Sequence, residues 1–197
     1  MVTFRMESNS LQSSIPSAIG NLSKLEYLHL WSNYLSSTIS GQMGKLSQLQ
    51  ELFLDDNELT GTIPAELGQL TSATYIALAQ NHLEGVIPPS FGMLSSLERL
   101  DIQFNYLFGE VPHQMGNLPL AKMKLEGNYF FGDIPLGICD RVQELSGNCA
   151  VTRRPTNQPT QSLNGVSVAG ASPNMPTPSP TYEYRWSCNC CTTCYPG

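Results

Sequence analysis

The chain has 197 residues, enough for one domain or two. Its net charge of −6 leaves no basic stripe of the kind nucleic acid requires. It holds no apolar run of the roughly 18 residues needed to span a bilayer, and no basic-then-apolar leader starts at Met1.

Asparagine recurs at Asn9, Asn33, Asn57, Asn81, Asn105 and Asn128, each three places after an apolar residue, so the chain advances in steps of 24, 24, 24, 24 and 23 residues. Self-similarity at such a period is the mark of a stacked repeat architecture. The pattern is already in stride at the start: Phe4, Met6, Asn9 and Leu11 occupy the phase of Leu28, Leu30, Asn33 and Leu35. Because solenoid ends require caps, the expectation is that a fuller protein carries a leader or membrane anchor, a cap and further repeats before Met1. Asn21-Leu22-Ser23, on the first connecting segment, is a glycosylation sequon; its alternative is an ordinary polar turn.

Leu25, Leu28, Leu30, Asn33 and Leu35 return as Leu49, Leu52, Leu54, Asn57 and Leu59, and again as Leu97, Leu100, Ile102, Asn105 and Leu107. After Asn57 come Leu59, Gly61, Ile63, Pro64, Leu67, Gly68 and Leu70; after Asn81 come Leu83, Gly85, Ile87, Pro88, Phe91, Gly92 and Leu94. This pattern resembles the plant-type leucine-rich repeat of receptor ectodomains and secreted inhibitors, over residues 2 to 138. The resemblance implies an α/β solenoid of about six repeats: a right-handed coil with a parallel sheet on its concave face and 3-10 or irregular turns on its convex face.

In the apolar-x-apolar run alternate side chains point to opposite faces of a strand, so Leu28 and Leu30 face inward while Tyr27, His29 and Trp31 face outward. Where the strand ends, backbone groups lose their ladder partners, and a buried amide that donates and accepts can satisfy them. The six asparagines are therefore expected to form an internal ladder. The glycine and the Ile-Pro pair suit a tight turn on the outer side. One repeat buries about 10–20 kcal/mol of apolar side chains, against roughly 1–2 kcal/mol per residue to order its backbone. Stacking must supply the difference.

The outward positions fall in columns across the strands. Tyr27, Trp31, Phe53, Tyr75 and Phe104 are expected to cluster on the concave sheet beside His29, Glu51, Asp55, Arg99, Asp101, Lys122 and Lys124. Aromatics bordered by mixed charge resemble the anchors and rim of a protein or peptide interface, although sheets also favour aromatics for cross-strand packing alone.

The one shortened step has a location: between Leu118 and Leu120, Pro119 stands for two residues. Residues 1–138 then form the solenoid and 139–151 a capping half-repeat. Residues 152–181 form a linker, with Pro155, Pro159, Pro173, Pro176, Pro178 and Pro180 among Ser, Thr, Asn and Gln. It either carries O-glycans or is an insertion in a capping loop. Residues 182–197 form a cysteine-rich tail.

All six cysteines follow the repeats: Cys139, Cys149, Cys188, Cys190, Cys191 and Cys194. Their even number suggests a disulfide-stapled cap formed in an oxidising compartment, with at least one bridge from the tail to Cys139 or Cys149. Zinc held by the four clustered thiols is the alternative. The tail resembles those of secreted or surface leucine-rich-repeat proteins of diatom-like algae.

The sequence presents no catalytic constellation and implies no cofactor. His29, His82 and His113 fall at different phases of the repeat, and Asp55 and Asp56 are adjacent strand-end residues that diverge instead of converging on a cleft. The expectation is an extracellular or cell-surface recognition module that binds a protein, peptide or cell-wall glycan through its concave sheet, with any membrane contact made by a segment outside this chain. The alternative is an adhesion or matrix protein cross-linked through its tail.

Overall fold

Each apolar-x-apolar triplet becomes a three-residue strand, and each asparagine closes it. In chain order the strands are Thr3–Arg5 (β1), Gln12–Ser13 (β2), Tyr27–His29 (β3), Tyr34–Thr38 (β4), Glu51–Phe53 (β5), Glu58–Thr62 (β6), Tyr75–Ala77 (β7), His82–Gly85 (β8), Arg99–Asp101 (β9), Tyr106–Gly109 (β10), Lys122–Lys124 (β11), Tyr129–Phe130 (β12) and Glu144–Ser146 (β13). The computed structural model describes residues 1–139 and 141–146, with the backbone alone of 151–152 and 185–186.

The odd-numbered strands β1 to β13 form one seven-stranded sheet in sequence order. All its pairings are parallel, with Tyr27 beside Glu51, Glu51 beside Tyr75 and Tyr75 beside Arg99. The even-numbered strands β2 to β12 form a second, six-stranded parallel sheet. Leu28, Leu52, Ile76, Leu100 and Met123 enter the core from the first sheet, Leu35, Leu59, Leu83 and Leu107 from the second; all are buried.

The second sheet replaces the tight outer turn expected from the glycine and Ile-Pro pair. In Glu58-Leu59-Thr60-Gly61-Thr62-Ile63, Leu59 and Ile63 are buried while Glu58, Thr60 and Thr62 are exposed, which is the alternation of a strand. Gly61 sits between them at φ 73°, and a Cβ there would lie 2.9 Å from the Thr38 methyl of the neighbouring strand. Glycine is needed because of both the angle and the approach.

The third side of each coil is a five-residue 3-10 helix: Ser17–Asn21, Gly41–Lys45, Ala65–Gln69, Pro89–Met93 and His113–Asn117. Four of them follow a proline that fixes an extended approach, such as Pro64 at φ −65°, ψ 134°. In the other, Ser40 takes the proline position at φ −74°, ψ 129°, and its hydroxyl accepts a hydrogen bond from the Gln42 N–H at 3.3 Å.

The asparagines bind both their own turn and the preceding coil. Asn57 shares its amide N–H groups among the Leu54, Asp55 and Leu30 carbonyls at 3.1, 3.2 and 3.0 Å, and its side-chain oxygen accepts from the Leu35 N–H at 3.0 Å. Asn81, Asn105 and Asn128 repeat that arrangement. The residue before each asparagine is left-handed, from Ser8 at φ 52° to Phe104 at φ 53°, with Gly127 at φ 66° in the last.

The missing residue at Pro119 is absorbed at one torsion. The residue that ends each of the first four 3-10 helices has ψ between 59° and 65°, whereas Leu118 has ψ 150°. Steric conflict with a following proline drives a residue to extended backbone. Beyond it, a four-residue α-helix, Leu136–Cys139, takes the place of the next 3-10 helix and buries Ile138, and β13 adds to β11. Cys139 is disulfide-bonded. Val151–Thr152 pairs antiparallel with Arg185–Trp186. Cys149, Cys188, Cys190, Cys191 and Cys194, and most of the expected linker and tail, lie outside the described residues.

Candidate functional site

The outward residues of β3, β5, β7 and β9 form a continuous stack. The Tyr27 ring meets His29 edge-on at 6.2 Å, His29 lies flat on Phe53 at 4.3 Å, and Phe53 meets Tyr75 edge-on at 4.7 Å. The Arg99 guanidinium caps the row 5.8 Å from the centre of the Tyr75 ring. The row draws on two adjoining outward phases, Tyr27, Tyr75 and Arg99 in one and His29 and Phe53 in the next, brought side by side by strands about 5 Å apart. Tyr27 is fixed by donating to Gln50 Oε1 at 3.0 Å, and His29 Nε2 is 2.8 Å from Glu51 Oε2.

Beside this row the outward side chains become small and then polar. Ala77 is outward at the end of β7 and Ala79 follows two places on in the same alternation; both are buried. Asp55, Asp101, Gln103 and Glu126 come from the flanking repeats. Burial pushes the Asp55 carboxyl up from an ordinary 3.8 to about 6, helped by the like charges of Asp101 and Asp56 and opposed by a backbone hydrogen bond and by His29. Burial also raises Asp101, against the pull of Lys124 3.5 Å away. The Tyr75 hydroxyl is raised by burial and by Asp101 and Asp55. Gln103 Oε1 and Glu126 Oε2 are buried with no hydrogen-bond partner among the described residues. A buried acceptor left unpaired is costly.

A family model described as leucine rich repeat matches residues 2–59, and a second of the same description matches residues 96–118. The fold is a leucine-rich-repeat solenoid. Solved structures similar to it include the plant peptide hormone receptor RGFR1 in complex with RGF2, at 30% identity and TM-score 0.69 over 75% of this chain and 25% of that one. The leucine-rich-repeat ectodomain of the Arabidopsis receptor kinase HAESA, in complex with an N-terminally extended IDA peptide hormone, matches at 34% identity and TM-score 0.68, over 71% of this chain and 24% of that one. The Arabidopsis BIR3–SERK2 complex matches at 27% identity and TM-score 0.60, over 68% of this chain and 71% of that one. The chain thus spans about a quarter of the length of the two hormone-bound receptors. No curated protein matches it.

Within the leucine-rich-repeat solenoid the expected residues divide. Tyr27, His29, Glu51, Phe53, Tyr75 and Arg99 are brought together, and Trp31 and Asp55 stand in the adjoining column. His29 and Asp101 face outward in phase but are 6% and 9% exposed, sealed by their neighbours, so they position other groups and offer little surface themselves. Lys122 is engaged by Glu144 at 2.7 Å, which lowers that carboxyl. Phe104 does not join the cluster. It sits in the left-handed turn beyond β9 and lines a groove with His82, Tyr106 and Tyr129 on the side of the second sheet. Its position directly before Asn105 decides this, because the asparagine turn swings that residue off the strand.

The unpartnered Gln103 and Glu126 oxygens had no signal in the sequence beyond falling in one column with Ala79. Asn21 ends the first 3-10 helix and is exposed. Among the described residues no group of three His, Cys, Asp or Glu is placed to hold a metal, and no helix is long and apolar enough to cross a membrane.

Proposed function

We propose that this solenoid is an extracellular or cell-surface recognition module that binds an extended peptide, free or as a segment of a protein, across β3 to β11. The carrying observation is the Tyr27–His29–Phe53–Tyr75–Arg99 row, an unbroken run of rings ending in a guanidinium, beside the carboxyls of Asp55 and Asp101 that burial raises. An apolar ligand side chain would rest on the Phe53 and Tyr75 rings while its N–H groups or a cation reach Gln103, Glu126 and Asp55. Rigid aromatic anchors beside desolvated polar groups are the usual energetic centre of an interface. The reading is supported by structural neighbours that are receptor ectodomains holding peptide hormones. The disulfide at Cys139 suits an oxidising compartment.

The test is to select peptides from a displayed random library on the wild-type chain and measure them on Tyr75→Ala and on Asp55→Asn, which removes a charge without a change of shape. Selected peptides are expected to lose affinity about tenfold or more on each variant, about 1.4 kcal/mol, with the thermal midpoint of Asp55→Asn not lowered. Equal binding to all three proteins would place recognition elsewhere.

A further inference from the structure

The outer face of the second sheet carries a second set of aromatics that the concave site does not use. Tyr106, Phe108, Tyr129 and Phe131 are each half exposed or more, at 51%, 50%, 65% and 50%. They are adjacent because β10 and β12 are: Phe108 pairs directly with Tyr129, and Tyr106 pairs with Glu84 on the other side. The His82 ring lies parallel to Tyr106 at 6.0 Å, and Phe104 closes the groove between them. The origin is visible in the chain, where exposed Tyr106, Phe108 and Glu110 alternate with buried Leu107, Gly109 and Val111. The buried members build the core, so packing does not explain the exposed ones. A continuous exposed apolar surface of this kind marks a contact site.

Charge selects the occupant. The exposed positions of β6, β8, β10 and β12 and of the residues that follow them include Glu58, Glu84, Glu110 and Asp133, and no lysine or arginine. On the concave sheet, by contrast, Arg99, Lys122 and Lys124 stand among the acids. Open ring faces bordered only by carboxylates offer a cation two attractions at once, the ring quadrupole and the opposite charge. A neutral sugar would use the rings and donate hydroxyls to the acids, but it brings no charge to neutralise them, whereas a cation does both. We propose that this face docks a basic extended segment of a partner protein, whose arginine or lysine side chains lie on Tyr106, Phe108 and Tyr129 and pair with Glu84 and Glu110. This surface is separate from the concave site and does not depend on it.

The experiment uses the full chain and four labelled probes: a nine-residue peptide alternating Arg and Gly, its Lys-Gly and Glu-Gly counterparts, and a neutral cello-oligosaccharide. The Arg-Gly peptide is expected to bind best, the Lys-Gly peptide more weakly, and the Glu-Gly peptide and sugar not measurably. Exposed Tyr106→Ala with Tyr129→Ala, and separately Glu84→Gln with Glu110→Gln, are each expected to weaken Arg-Gly binding tenfold or more. Phe53→Ala, on the concave face, should leave it unchanged, which keeps this result independent of the peptide-selection test. Binding insensitive to the second-sheet variants overturns the proposal, as does preference for the sugar. Tighter probe binding by Arg153→Ser with Arg154→Ser overturns the partner as occupant and assigns the face to the chain's own basic segment.

Discussion

At the scale of single residues, the asparagines add buried side-chain bonds between the coils to the backbone bonds of the short strands. A strand of three residues has few ladder bonds, whereas Asn81 alone ties the Leu54 carbonyl of the preceding repeat at 3.0 Å and the Leu59 N–H at 2.9 Å to its own turn. It is 6% exposed, so water cannot replace it. Asn81→Ala leaves the buried Leu59 N–H unpaired and removes one of the two donors at each of the Leu54, Leu78 and Ala79 carbonyls, and at about 1–3 kcal/mol for the unpaired group, with the weakened carbonyls added, the expected loss is about 3 kcal/mol. Asn9 is the control: its amide donates only to Met6 and Glu7 of its own turn, in an exposed setting. Asn9→Ala is expected to cost less than about 1 kcal/mol. Urea denaturation of the two variants checks the difference, and equal midpoints would mean that the ladder contributes no more inside the stack than at its edge.

At the scale of elements, the 3-10 helices stack through glycines whose backbones touch. A Cβ at Gly68 would run into the backbone carbonyl of Ser90 in the next helix, and one at Gly44 into that of Glu66. Backbone cannot swing aside as a side chain can. Gly68→Ala is therefore expected to destabilise by about 2 kcal/mol, the ordinary cost of overpacking. Gly116 holds the same phase, but the nearest atom to its added Cβ is the Pro135 Cβ at 3.7 Å, an ordinary contact. Gly116→Ala is expected to stay within about 0.5 kcal/mol of wild type, and thermal melts of the pair decide it. The chain shows the same glycine at both places, so this contrast was not legible in the sequence. The leucine phase and the asparagine turn were, because their spacing repeats. The second sheet was half legible: Leu59 and Ile63 gave the inward beat, but Gly61 between them and Pro64 just after suggest a turn.

At the scale of the molecule, the order of the strands is the order of the sequence, and among the described residues each element lies against those of the adjoining coils. The columns of the candidate site could be listed from such a chain, since each outward residue inherits its place from the period. What could not be listed was how much of each column is already spent. His29 is locked by Phe53 and Glu51, Asp101 by Lys124, and Phe104 is turned out of the sheet by the left-handed backbone before Asn105. A nearest-neighbour stack also predicts where the structure opens. The first described coil is the thinner one: Phe4 and Met6 are 38% and 41% exposed, against complete burial of Leu52 and Leu54, so opening it uncovers less apolar surface. Local opening governs amide exchange wherever it costs less than global unfolding. The Met6 and Ser8 amides, bonded to the His29 and Trp31 carbonyls at 2.9 and 3.0 Å, are therefore expected to exchange about a hundredfold faster than those of Leu54 and Leu78, whose bonds to the Ala77 and Asp101 carbonyls are 2.9 and 2.8 Å long. Hydrogen bonds of one length with different lifetimes would show that stacking, not the bond itself, sets protection; uniform protection would instead mean that the coils unfold as a single unit.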